Sequence, residues 1–173
     1  MSWNLVKGEL RHLDRAGLVG LLMDLHTLAP ENRAFLAARF GLGPDPLAPY
    51  KASISRWICP DVARGQDISV KKAKKAISDY RKAIGQPEGV TELCIHDCEE
   101  AARLLSECGM GDEAYFSALV RMYDQALSKV IDLTPIERDP MLKRLYAVRE
   151  VRSSPRLARC RCVWRLPDAT LAA

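Results

Sequence analysis

Aromatic residues are scarce in this chain, at 6% of 173 residues. A core of that composition must be built from Leu, Ala, Val and Ile, which favours helix on helix over a β-sandwich. Long apolar runs are missing too. The best, Leu18 to Met23, is six residues long and contains Gly20, which excludes a membrane span there. The opening MSWNLVKGEL has no apolar h-region, so no signal peptide is expected and the expected location is cytoplasmic. The six cysteines are then expected as thiols rather than bridges. There is also no GxSxG, no HExxH, no P-loop and no GxGxxG after a strand. No catalytic residue, metal ligand set or cofactor is assigned on sequence, and an enzyme would have to use an unfamiliar site.

What is present is ordinary in amount and unusual in placement. Apolar residues make up 48% and charged residues 28%, values of a folded globular chain of one-domain length. The net charge is +4, but residues 71–82 carry six cations and one acid, and residues 149–165 carry six Arg and Glu150. The rest of the chain is therefore acidic. Such segregation bears on partners more than on fold.

Helical periodicity dominates. Leu5, Leu10 and Leu13 suit a short helix over 3–13, and Asp14 suits the cap of a helix over 15–28. Leu18, Leu21, Leu22, Leu25 and Leu28 give that helix one buried face. Pro30 opens a third helix that ends at Phe40 before Gly41. GLGPDPLAP, residues 41–49, is a break. Further helices are expected near 48–58, over 69–84 behind the Ser69 cap, and over 89–108, 112–131 and 139–151, with Pro135 as a stop before the last. The expected fold is all-α, about seven short to medium helices in antiparallel hairpins. It forms a single helical domain over 1–151, with an N-terminal hairpin at 3–40 and a main body at 50–151. Residues 152–173 form a tail. Within it Ala158, Cys160, Cys162, Trp164 and Leu166 alternate with Arg159, Arg161, Val163 and Arg165, a period of two. The tail is either disordered or a lone strand that pairs with another chain or copy.

KKAKKAISDYRKAI, residues 71–84, is the stretch with most to say about function. On a helical wheel Val70, Ala73, Ala76, Ile77, Tyr80, Ala83 and Ile84 share one arc, and Lys71, Lys74, Lys75, Arg81 and Lys82 share the opposite one. Lys72 and Asp79 lie at an edge. Cations in the first turns oppose the helix dipole, and Lys71 and Lys75 repel across one turn. Stability alone would favour glutamate at several of these positions. The face is therefore arranged for an anionic partner or for an acidic patch of the same protein; the plainer alternative is a solvated helix face. Binding to nucleic acid would run through phosphates, using Lys71–Lys82 and the 149–165 segment with Arg159, Arg161 and Arg165.

CIHDC, residues 94–98, resembles a metal site only superficially. Cys94, Cys98 and Cys108 share their stripe with Ala101 and Leu105, which reads as core. His96 points away from Cys94 and forms no dyad with it. Cys160 and Cys162 do not complete a usual zinc spacing. His12 and His26 sit in no catalytic pattern. Asp97, Glu99 and Glu100 read as a solvated face rather than an acid–base pair.

Two resemblances accompany these residues. AARLLSECGMGDEAYFSALVRMYDQALSKVIDLTP, residues 101–135, is similar to a tetratricopeptide helix pair in Leu104, Gly109, Ala114, Tyr123, Ala126, Leu127 and Pro135. That implies antiparallel helix packing and protein contact. Over roughly residues 5–131 the order HLDRAGLVGLLMDLHTLAPENRAFLAARF, YKASISRWICP and KKAKKAISDYRKAI resembles an uncharacterised bacterial family of small all-helical proteins, a domain of unknown function. The motif at Ala73–Tyr80 carries that resemblance most clearly. It implies a helical fold in a bacterial cytoplasm and brings no site residues with it. The resulting expectation is a non-enzymatic binding or scaffold protein whose partner is another protein, with nucleic acid as the alternative, and with no membrane partner.

Overall fold

A computed structural model describes residues 2–61, 64–108 and 113–151. The described residues hold eight helices: α1 Trp3–Leu10, α2 Arg15–Leu28, α3 Pro30–Phe40, α4 Ala48–Ile58, α5 Val70–Ala83, α6 Pro87–Cys108, α7 Glu113–Ile131 and α8 Pro135–Val151. The fold class is all-α. No helix among these residues is long and apolar enough to cross a membrane. The arginine-rich end, with Arg159, Arg161 and Arg165, and with Cys160 and Cys162, lies outside the described residues.

The chain divides into two units, Met1–Pro46 and Leu47–Ala173, with the boundary inside the proline-rich break. In the first unit each helix boundary has a local cause. Ser2 accepts from the Asn4 N–H, and Asp14 Oδ1 accepts from the Gly17 N–H at 2.7 Å. Ala29 is extended and Pro30 pre-sets the first helical φ of α3. Gly41 ends α3 at φ 63°, where its own N–H and that of Leu42 bond back to the Ala38 and Ala37 carbonyls. α2 packs against α3, and Asn32 Nδ2 donates to the Leu25 carbonyl at 2.7 Å. Yet α1 and α2 bury no residue and α3 buries only Ala38.

The second unit is built around α6, which packs against α4, α5, α7 and α8. A helix with neighbours on every side must bury most of its circumference. Leu93, Cys94, Ile95, Cys98, Ala101 and Leu104 are all 3% exposed or less. Tyr115 on α7 donates its hydroxyl to the Ile58 carbonyl at the end of α4, and Tyr123 donates to the Leu145 carbonyl of α8. These two bonds let large side chains enter the core without stranding a polar atom.

α8 begins at Pro135, four residues before the start expected from periodicity. Thr134 and Glu137 explain it. Glu137 accepts from both the Thr134 N–H and its hydroxyl, a capping arrangement that places Pro135 in the first turn. Pro140 lies inside this helix, where it removes one backbone donor without ending the helix.

Candidate functional site

The basic face forms on α5 because each local rule points the same way. Ser69 is extended and accepts from the Lys72 N–H, which starts the helix. Ala73, Ala76, Ile77, Tyr80 and Ala83 are buried against the body of the unit. Lys71, Lys72, Lys75, Arg81 and Lys82 are exposed, and Lys74 is half-buried. The first turn contains no acidic residue.

The cations differ in their surroundings. Lys75 Nζ lies 2.6 Å from Asp79 Oδ2, one turn further along the same helix. Lys74 is close enough to the buried Asp97 to oppose the rise of its pKa. Lys71, Arg81 and Lys82 have no ion-pair partner among the described residues. Lys72, at the edge of the face, lies on an aromatic ring: its Nζ sits 3.7 Å from the centroid of Trp57. Arg56 Cζ sits 4.5 Å from the same ring. The Ser69 N–H donates to the Trp57 carbonyl, which holds the start of α5 against the end of α4. The Arg56–Trp57–Lys72 cluster therefore extends the basic surface from α5 onto α4. Sequence reasoning missed it, because Trp57 and Lys72 are fifteen positions apart.

The acidic residues of α6 separate into different environments. Asp97 is not on a solvated face, as its sequence neighbours suggested. It is 2% exposed, and its Oδ2 has no hydrogen-bond partner among the described residues. Burial raises its pKa to about 7, against a smaller opposing pull from Lys74. It lines a cavity of about 10 Å³ with Ile58, Val70, Ala101, Tyr115, Ala118 and Leu119, a space at the lower limit for one water molecule. Glu99 instead meets Arg144 of α8 at 2.7 Å, and Glu92 is shared between Arg144 and Lys51 of α4. Burial pushes Glu92 up, but the hydrogen bonds from Arg144 and Lys51 outweigh it and hold the carboxyl below its usual range. Glu100 pairs with Arg103.

Ser55 Oγ and His96 Nε2 are 2.9 Å apart, which is nucleophile–base geometry. They tie α4 to α6 beside the Lys51–Glu92 ion pair, and neither lines the Asp97 cavity. Nothing places a substrate against them. Cys94 and Cys98 are buried free thiols, as their Ala–Leu stripe predicts. Burial pushes Cys94 up to about 11 and raises Cys98 well above its ordinary value, so neither is a thiolate at neutral pH. Among the described residues no three His, Cys, Asp or Glu side chains are grouped to hold a metal.

No protein-family model, curated protein or solved structure matches the chain.

Proposed function

We propose that this protein is a helical binding module that offers the α5 face to an anionic macromolecular partner. The observation that carries the reading is the exposure of Lys71, Arg81 and Lys82 without an acidic partner among the described residues, on a helix whose first turn holds cations and no carboxylate. Such a face costs helix stability through the dipole and like-charge repulsion, so it calls for a compensating contact outside the chain. Ile77 and Tyr80 anchor the helix, and Lys71, Lys75, Arg81 and Lys82 meet the partner. An acidic protein surface is the primary partner.

Nucleic acid is the second reading, favoured by the Arg56–Trp57–Lys72 cluster. Arg56 and Lys72, both held on the Trp57 ring, add two cations beside the α5 face for contact with phosphates. Fluorescence anisotropy with labelled poly-glutamate, single-stranded RNA and duplex DNA separates the two. Binding of poly-glutamate alone supports a protein partner. RNA binding that weakens steeply with salt and is lost in Trp57→Ala supports the second reading. Reversal of Lys71, Lys75 and Lys82 to Glu must abolish either one with helicity intact. Binding that survives reversal, or no binding at low salt, rejects the proposal.

A further inference from the structure

A buried carboxyl group lies behind the basic face. The cavity that Asp97 lines is bounded by Val70 of α5, Ile58 of α4, and Tyr115, Ala118 and Leu119 of α7. Val70, Lys74 and Ile77 recur at the spacing of one helical stripe, so Lys74 stands one turn beyond the cavity wall. Of the six cations of α5, five are exposed and Lys74 alone is half-buried. Its charge acts on Asp97.

The other polar groups on this side are already engaged or carry no positive charge. The Tyr115 hydroxyl donates to the Ile58 carbonyl at 3.0 Å. Cys94 and Cys98, on α6 itself, feel the Asp97 charge, but burial keeps both as thiols. Cys59 of α4 and Glu100 of α6 act on Tyr115 and bring no cation. Arg81 of α5 and Lys129 of α7 act on Cys94, a turn earlier on α6, and Arg144 of α8 is taken by Glu92 and Glu99. Removal of the Asp97 proton leaves a carboxylate among apolar side chains, and a buried charge needs a partner. Lys74 is the cation in position to supply it.

We propose that Asp97 gates the basic face: with its proton in place Lys74 is available to an anionic partner, and loss of the proton draws Lys74 inward. This regulation rests on the reading of α5 as a contact face. Two effects act in the same sense when the carboxyl ionises. The face loses one of its cations, and a negative charge appears behind it. Anion binding is therefore tighter in mildly acidic solution and weaker above neutrality. The coupling is reciprocal: a bound polyanion holds Lys74 outward and favours the protonated carboxyl, so binding takes up a proton. Burial places this transition at a pH of about 7.

Two readouts on the full chain test the gate. Labelled poly-glutamate is expected to bind the wild type about threefold more weakly at about pH 8 than at about pH 6, the size of one partly exposed ion pair. Asp97→Asn keeps the same shape, the same probe and the same histidines, so the part of the pH dependence due to Asp97 is expected to vanish in it. Lys74→Met is expected to lose the same part, and its half-buried position keeps the test valid where Asp97→Asn does not fold. The second readout needs no partner. Lysine acetylation by acetic anhydride, read residue by residue by mass spectrometry, gives the yield at Lys74 relative to Lys71. That ratio is expected to fall as pH rises through neutrality in the wild type and to stay level in Asp97→Asn. A level ratio in the wild type overturns the gate whether or not any polyanion binds. Full pH dependence of binding in either variant overturns it as well, as does loss of far-UV helicity in the wild type at the higher pH. A falling ratio with no binding at either pH keeps the Asp97–Lys74 contact but rejects α5 as a contact face, and the gate with it.

Discussion

The hydroxyl of Tyr80 stands where a side chain on Gly89 would begin. A Cβ on Gly89 would lie 2.0 Å from Tyr80 Oη and 2.6 Å from Cζ. Tyr80 is 2% exposed and meets the Tyr50 ring edge-on, with centroids 5.4 Å apart. One tyrosine therefore ties α4, α5 and α6 together, and only glycine at position 89 leaves room for it. Gly89→Ala is expected to destabilise the fold by about 2–3 kcal/mol, the cost of overpacking a filled core. Urea denaturation measures this. Tyr80→Phe should relieve only part of the strain in Gly89→Ala, because the clash with Cζ remains.

Asp97 makes stability depend on pH in the direction opposite to ordinary acid denaturation. Its folded pKa of about 7 lies above the ordinary 3.8, so the folded state holds its proton more tightly than the unfolded chain does. The resulting stabilisation is complete below the ordinary value and is lost as pH rises through about 7. Its full size is about 4 kcal/mol for a shift of this order. Chemical denaturation at about pH 6 and about pH 8 should show lower stability at the higher pH, and Asp97→Asn should flatten the difference.

Glu92 works from the other side. Its depressed pKa contributes stability that is present above the usual glutamate range and lost as pH falls through the folded value. Arg144→Met leaves Glu92 and Glu99 without their shared guanidinium. The expected cost at neutral pH is about 1–2 kcal/mol, between the values for exposed and buried pairs. The loss should shrink in acid, and a double-mutant cycle with Glu99→Gln should show coupling.

Lys71→Glu is expected to raise stability while it weakens binding. The substitution places a carboxylate in the first turn of α5, where the dipole favours it by about 0.5 kcal/mol. A higher melting temperature together with weaker polyanion binding would mark Lys71 as a residue retained for contact. An unchanged affinity would remove it from the binding face.

The sequence by itself determined what depends on near neighbours in the chain. Asp14 and Ser69 start their helices and Gly41 ends its own through hydrogen bonds and φ preferences that span a few residues. The split of α5 into a Tyr80 side and a Lys71 side follows from a 3.6-residue period. Thr134 and Glu137 carry a local start signal for α8 as well, but Pro135 reads equally as a stop, so the pattern by itself does not fix that boundary. Tertiary structure alone decided the environments of Asp97 and Glu99 on α6. They lie two positions apart, yet one is buried with no partner for Oδ2 among the described residues and the other meets Arg144 of α8. Periodicity cannot separate them, because a helix with neighbours on all sides has no polar face to read. The same holds for Trp57 with Lys72 and for Ser55 with His96: each pair meets only after α4 has docked. Burial and pairing depend on which helices arrive, and that information lies far away in the chain.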